Sequence, residues 1–283
     1  MTEQSITAQH DEEIIFIKPT KGWGSLNLRE LWLYRELIYF LTWRDLKVRY
    51  KQTVLGAGWA ILQPVLSMIV FSIFFGSLLN VPSEGVPYPI FSYAALLPWG
   101  VFAKALNDTG RSLVSNRAML TKIYFPRMVI PLASVFSSLA DFLIAFIVML
   151  GLMLYYRIAP TSNIWTLPLF LLLSVITALG VGLWLSAMNV LYRDIGYMIP
   201  YITQLWFYLT PIVYSSSEVP EEWRIFYALN PMVGVVEGFR WALLGTADAP
   251  DAIIAVSATI SLVIFISGMF YFRRMERTFA DMV

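Results

Sequence analysis

From Met128 to Tyr156 the chain runs for 29 residues with one charged side chain, Asp141. A soluble core has no use for an apolar run of that length, whereas a helix crossing the hydrocarbon of a bilayer needs about 20 mostly apolar residues. The pattern recurs over Ala57–Leu79, Tyr88–Leu106, Ile164–Leu191, Tyr197–Tyr214 and Ala252–Phe272. Helix is the expected conformation of each stretch, because lipid offers no partner to backbone N–H and C=O groups. The expected fold is all-α: a polytopic integral membrane protein with six transmembrane helices. Composition agrees, with 14% charged residues against roughly 25% in soluble domains.

Charge sets the expected orientation. Seventeen of the 20 Lys and Arg residues fall before the first span, around the connection between spans two and three, between spans four and five, or after the last span. Only Arg157, Arg224 and Arg240 fall on the other side. Basic residues collect on the cytoplasmic face, so both termini are expected inside. The first twenty residues have mixed charge and no apolar core of signal-peptide length, so the first span is expected to direct insertion.

Two segments outside the spans have a pattern of their own. Across Arg29–Lys51, helical spacing puts Trp32, Tyr39, Trp43, Leu46 and Tyr50 on one stripe and Arg29, Glu36, Arg44, Lys47 and Lys51 on the next. An aromatic stripe beside a cationic one suits an amphipathic helix in the headgroup layer; the alternative is a soluble helix packed on its own domain. On the far side, Ser215–Asp251 is the longest non-spanning stretch. Asn230-Pro231 there reads as an N-cap followed by an N1 proline. It opens an apolar helix over Met232–Leu244 that stops near Gly245. That helix is too short to cross, so with Glu218–Leu229 it is expected to form an extracytoplasmic re-entrant hairpin before the last span. The organisation is then a cytoplasmic N-terminal tail (1–28), an interfacial helix (29–51), a transmembrane domain (57–272) with a cytoplasmic segment at 108–127 and the external segment at 215–249, and a cytoplasmic C-terminal tail (273–283).

Several chemistries are excluded by residue type. There is no Cys and one His, His10, which removes thiol catalysis and thiolate metal sites and leaves no basis for a Ser-His-Asp triad. There is no G-x-x-x-x-G-K-[ST] loop, hence no nucleotide site of that kind. A net charge of +1 points to no nucleic acid. Asp141 is the one clear ionisable group within the spans. It reads as a pore-facing or helix-pairing carboxylate, or as one held by hydroxyls such as Ser137, Ser138 or Thr177. A lone Asp gives little for a secondary transporter to couple ions with. Glu218, Glu221 and Glu222 form an external acidic group better read as solvated surface than as an enzyme's paired carboxylates. Energy is therefore expected from outside the chain, through the basic segment 108–127. Aromatic side chains, which stack on sugar rings, are the other abundant signal: Trp59, Phe71, Tyr201, Tyr208 and Tyr214 are candidates to line a path, against the ordinary reading as interfacial belt.

Seven blocks occur in an order that resembles the ABC-2-type permease subunits exporting polysaccharides and teichoic acids. They are Arg49–Trp59, Gln63-Pro64, Leu97-Pro98-Trp99, Asn116–Arg127, Asn189–Asp194, Thr210–Tyr214 and Asn230-Pro231. The resemblance covers Trp32–Phe272. It implies a half-transporter in a bacterial cytoplasmic (inner) membrane, paired with a second copy around a pore and served by two separate ATPase subunits that bind ATP and Mg. It implies a gate role for the helix before span one, with Arg44, Arg49 and Lys51 meeting the pyrophosphate of a lipid-linked O-antigen, capsule or teichoic acid chain. It further implies ATPase coupling through Arg111, Arg117, Lys122, Tyr124 and Arg127. An ABC-2 permease for a small molecule or lipid, such as a drug or haem, shares the fold; the aromatic richness and the developed interfacial helix favour the polymer. The double replacement Arg49→Glu, Lys51→Glu is expected to reduce export without reducing insertion, read as surface polymer against the amount of protein in the membrane.

Overall fold

The structure, a computed structural model, describes residues 28–51, 56, 58–246, 252–276 and 279. Most of the expected N-terminal tail, the end of the external segment (247–249) and most of the C-terminal tail lie outside the described residues. Every regular element among those described is helical. In chain order they are α1 (Leu28–Leu33), α2 (Arg35–Lys51), α3 (Gly58–Phe71, continued as a π-helix over Ser72–Leu78), α4 (Tyr88–Ser115), α5 (Arg117–Leu120), α6 (Val129–Tyr156), α7 (Leu167–Leu191, preceded by a 3-10 turn at Ser162–Thr166), α8 (Ile195–Tyr208), α9 (Glu221–Ala228), α10 (Pro231–Leu244) and α11 (Ala252–Met275). Among the described residues, five stretches are long and apolar enough to cross a membrane: Gly58–Leu78, Tyr88–Ser115, Val129–Tyr156, Ser162–Leu191 and Ala252–Met275.

α4 is the buried spine. Ile90, Phe91, Tyr93, Ala94, Phe102, Ala105 and Leu106 are wholly enclosed, and α6, α7, α3, α10 and α8 pack around the helix. It runs nine residues past the expected end of the second span. Asp108 and Arg111 therefore sit on α4 rather than in a loop. Asn116 ends the helix within the basic segment: its amide reaches back to Ser112 O (2.8 Å) and closes α4.

Apolar area gives no net drive to helix pairing inside lipid, so close backbone approach and hydrogen bonds must supply it. The α7–α11 pair shows how. Gly268 lies against Gly180 O, and a Cβ on Gly180 would stand 2.7 Å from Phe265 Cα. Thr177 donates to Ser261 (2.8 Å), and Trp184 stacks on Tyr271 with centroids 4.1 Å apart. α3 is the opposite case: Met68 is its one buried residue, and Leu66, Ile69, Val70, Ile73 and Phe74 face outward.

α8 runs up α4 in the opposite sense. Arg111 donates to Gly196 O (2.9 Å), Asn107 to Thr203 Oγ1 (3.2 Å), and Trp206 meets Phe102 edge-on (4.9 Å). Beyond the helix, Tyr88 donates to Val213 O (2.6 Å). From Arg111 to Tyr88, α4 rises about 35 Å at roughly 1.5 Å per residue. The chain from Gly196 to Val213 thus matches the height of α4, although its helix has 14 residues; irregular backbone at 209–215 completes the climb.

α10 forms as the sequence expects. Asn230 accepts from Met232 N–H (3.0 Å), Pro231 is N1, and Gly245 ends the helix at φ 68°. Its packing differs from that of an interfacial helix, because almost the whole helix is buried. Gly234 abuts Ser257 of α11, Gly238 the ring of Phe170 of α7, and Arg240 the ring of Phe91 of α4. Those three residues stand three to five positions into their helices, so α10 lies across three helix ends at one level. Gly180→Val is expected to cost about 1–3 kcal/mol through overpacking and to lower the melting temperature of the purified protein in detergent.

Candidate functional site

The last turn of α2 is charged, and two other helices meet that charge. Arg49 forks: one guanidinium nitrogen donates to Asp141 Oδ2 of α6 and the other to Asp108 Oδ2 of α4, both at 3.0 Å, with Ser137 Oγ at 3.3 Å. Lys104 of α4 stands 3.1 Å from Asp141 and 3.9 Å from Asp108. The Tyr50 hydroxyl donates to the other oxygen of Asp141. Two cations face two carboxylates, so the group is neutral overall. Neutrality offsets the roughly 2.5–3.5 kcal/mol that one charged residue costs near a bilayer centre. Burial first, and then the Asp141 carboxylate, push the Tyr50 phenol up to about 12, so Tyr50 remains a donor at physiological pH.

The register of α2 follows from these bonds. Thr42 donates to Ala133 O (3.3 Å) and Arg49 to Asp141, so α2 runs parallel to α6. Arg44 donates to Asn116 Oδ1 (2.8 Å) and Arg49 to Asp108, so it runs antiparallel to α4. The helix lies in the groove between the two helices that segment 116–128 connects. Asp141 is twelve residues into α6, about 18 Å along it at 1.5 Å per residue. The hydroxyls expected to hold Asp141 are used elsewhere: Ser138 bonds Val135 O, and Thr177 bonds Leu173 O and Ser261. The opposite face of α2 is open, lined by Phe40, Trp43, Arg44, Lys47, Val48 and Lys51, with the Lys47 ammonium over the Trp43 ring at 5.3 Å. Of the three gate candidates, Arg44 and Lys51 stand on that face and Arg49 in the charge group.

The five coupling candidates are spread along the same end of the bundle. Arg111 joins α4 to the start of α8. Arg117 lies on α5, and Lys122 and Tyr124 face outward. Arg127 turns inward: its N–H and guanidinium bond the Glu276 side chain (3.0 Å) and carbonyl (2.9 Å), and its guanidinium lies 5.7 Å from the Phe279 ring. Segment 116–127 is thereby fastened to the end of α11.

The aromatic candidates divide. Tyr201 and Tyr208 are about two-thirds exposed and share one face of α8 with Tyr197; Trp59 is open on α3. Phe71 instead packs on Phe207, and the Tyr214 hydroxyl pairs with that of Tyr227 (2.7 Å).

A second polar group, which sequence reasoning did not single out as a site, lies at the other end of the bundle. Arg240 is fully buried, with its guanidinium 3.6 Å from the Phe91 ring centroid. It donates to Ile212 O (2.9 Å), Tyr214 O (3.1 Å) and Glu237 Oε1 (3.3 Å). Asn230 donates to Leu209 O (2.9 Å), and Tyr88 to Val213 O. These carbonyls belong to the stretch where α8 has ended, and side chains replace the helical donors they lack. The visible signal was Glu237 and Arg240 at i,i+3 spacing within an apolar helix.

Fold and site together define a multi-pass helical membrane protein whose polar groups fasten helices to one another inside the apolar bundle. The chain belongs to the ABC-2 type transporter family, whose profile matches residues 36–244. It is 31% identical over 262 residues to the O-antigen export system permease protein RfbA of Myxococcus xanthus, covering 90% of this chain and 98% of that one. It is 28% identical over 250 residues to the RfbA protein of Klebsiella pneumoniae (88% and 95% covered). It is 23% identical over 238 residues to the polysialic acid transport protein KpsM of Escherichia coli (82% and 91% covered). If the α2 charge group acts as a unit, Asp141→Asn and Arg49→Gln will be non-additive. A double-mutant cycle by denaturation in mixed micelles is expected to give a coupling of about 0.5–3 kcal/mol.

Proposed function

We propose that the chain is the membrane-spanning permease half of an ABC exporter that carries a lipid-linked polysaccharide, of O-antigen, capsule or teichoic acid type, across a bacterial cytoplasmic membrane. The observation that carries the reading is the match along nearly its whole length to permeases named for O-antigen export. The exposed tyrosines of α8 suit a sliding glycan, offering apolar ring faces together with hydroxyls.

In this reading α8 and the irregular 209–215 segment together make a sixth crossing, which places both termini on the basic, cytoplasmic side. The α9–α10 hairpin becomes the outer collar, and the outward aromatic and basic face of α2 lies at the inner headgroup layer. The apolar sides of α3 and α8, unburied by this chain, suit a second copy across a pore. The power stroke comes from two ATPase subunits that hold ATP and Mg and press on segment 108–127. A push there alters the angle between α4 and α6, and α2, lying in their groove, must follow. The pyrophosphate of the carrier would meet Arg44 and Lys51 first and compete with Asp108 and Asp141 for Arg49, an exchange favoured by bidentate geometry and weakened by salt.

Removing the gene is expected to abolish surface polysaccharide and leave lipid-linked polymer inside the cell, with restoration by the intact chain. A partner ATPase is expected to co-purify. Normal surface polymer in the deletion strain, or transport driven by an ion gradient alone, overturns the reading.

A further inference from the structure

At the end of the bundle away from segment 116–127, two carboxylates, Glu237 buried and Glu84 half-buried, converge on one dipeptide. Glu84, in the loop after α3, accepts from the Ser215 hydroxyl through Oε1. Glu237 Oε1 accepts from Ser216 N–H (3.3 Å) and from Arg240 (3.3 Å). The second oxygen of each, Glu84 Oε2 and Glu237 Oε2, is enclosed and has no hydrogen-bond partner. Buried polar atoms without partners are rare enough in folded proteins that each calls for a cause.

Charge bookkeeping gives one. Arg240 is the cation paired with Glu237, and its remaining donors go to backbone carbonyls. Two ionised carboxylates and one guanidinium would leave a net negative charge with two bare oxygens. One added proton cancels the charges and gives one of the two orphan oxygens a hydrogen to donate. Burial pushes the Glu237 carboxyl up, Arg240 pulls it back, and the Glu84 charge raises it further. The other titratable or charged groups nearby are Tyr88 of α4, bonded to Val213 O; Tyr214 of the irregular segment and Tyr227 of α9, bonded to each other; and Arg224 of α9, which donates to Ser217 O and Val219 O.

We propose that Glu84 and Glu237 share one proton and form a proton-linked latch that holds the 80–87 loop, the 209–216 segment and α10 together. The inference does not depend on what the protein transports. Its sign is fixed by linkage. The latch keeps a proton that the unfolded chain releases near the ordinary Glu value of about 4.3. Stability is therefore full below that pH, and the latch's share is lost as pH rises through the raised value of Glu237 in the fold.

The test is infrared spectroscopy of the purified full chain in lipid nanodiscs across a pH series. Wild-type protein is expected to show a protonated-carboxyl C=O band at neutral pH that disappears only on alkalinisation. Glu84→Gln and Glu237→Gln are each expected to remove that band, since either amide supplies the missing donor and lets the surviving carboxyl ionise. Thermal denaturation of the wild type should weaken with rising pH across the same range, with a flatter profile in both variants. A wild type with no such band, a band surviving in either variant, or a flat wild-type profile overturns the proposal; the wild-type series decides by itself if a variant does not fold.

Discussion

Lipid donates no hydrogen bonds, and that constraint organises the molecule. A helix satisfies it along its length, so the cost falls where helices stop. α8 stops after 14 residues, leaving carbonyls from Leu209 to Tyr214 without helical donors at the level of the α4 spine. Arg240, Asn230 and Tyr88 supply them from α10, its N-cap and α4. A guanidinium is suited to this because it offers five donors in a fixed plane, and the Phe91 ring beneath it takes the place of solvent. The burial of α10 follows: a helix carrying the donors for a broken crossing has to lie against that crossing, across the ends of α4, α7 and α11.

The same constraint explains which helices pack tightly. Apolar surface is as comfortable against lipid as against protein, so shape and polar bonds select neighbours. Gly180 and Gly268 let α7 and α11 touch backbone to backbone, whereas α3 presents Leu66, Ile69 and Val70 and stays on the outside of this chain. α2 lacks close small-residue packing and is tied in by ions. Its Arg49 and Tyr50 bind α6 and α4 through carboxylates that those helices could not carry unpaired.

The sequence made the fold class legible because the relevant signal is local. Runs of apolar residues, the Asn230-Pro231 start and the Gly245 stop each act within a few residues; the start and the stop appear where expected, and five of the six expected runs form long apolar helices, while the Tyr197–Tyr214 run leaves the helix after Tyr208. The end of α4 was misjudged because its last turns carry Asp108 and Arg111, which read as loop in isolation but are polar helix once α2 and α8 cover them. The partners of Asp141 were missed for the same reason. Arg49 is 92 positions away, and no periodicity connects it to Asp141. Of the aromatic candidates, Tyr201, Tyr208 and Trp59 stand open in the fold. Phe71 and Tyr214 could not be separated from them without knowing the neighbours, Phe207 and Tyr227.

The two polar groups differ in the freedom they leave. The guanidinium of Arg240 is enclosed and divides its bonds among backbone carbonyls, so moving it would strand acceptors where nothing replaces them. That end of the bundle is built to hold its shape. The α2 group is partly open, with side chains of Arg49, Lys104, Asp108 and Asp141 between 17% and 36% exposed, and each cation reaches both carboxylates. Lys104 stays within reach of both carboxylates when Arg49 shifts, so a movement of α2 in its groove leaves the acidic pair partly neutralised. Its groove is formed by α4 and α6, joined directly by the basic segment, and Arg44 bonds Asn116 at the first residue of that join. A displacement there reaches α2 through one hydrogen bond and one ion group, and the end of α11 through the Arg127–Glu276 bonds. The chain therefore has one stiff end and one adjustable end, set apart by how completely each buried charge is enclosed.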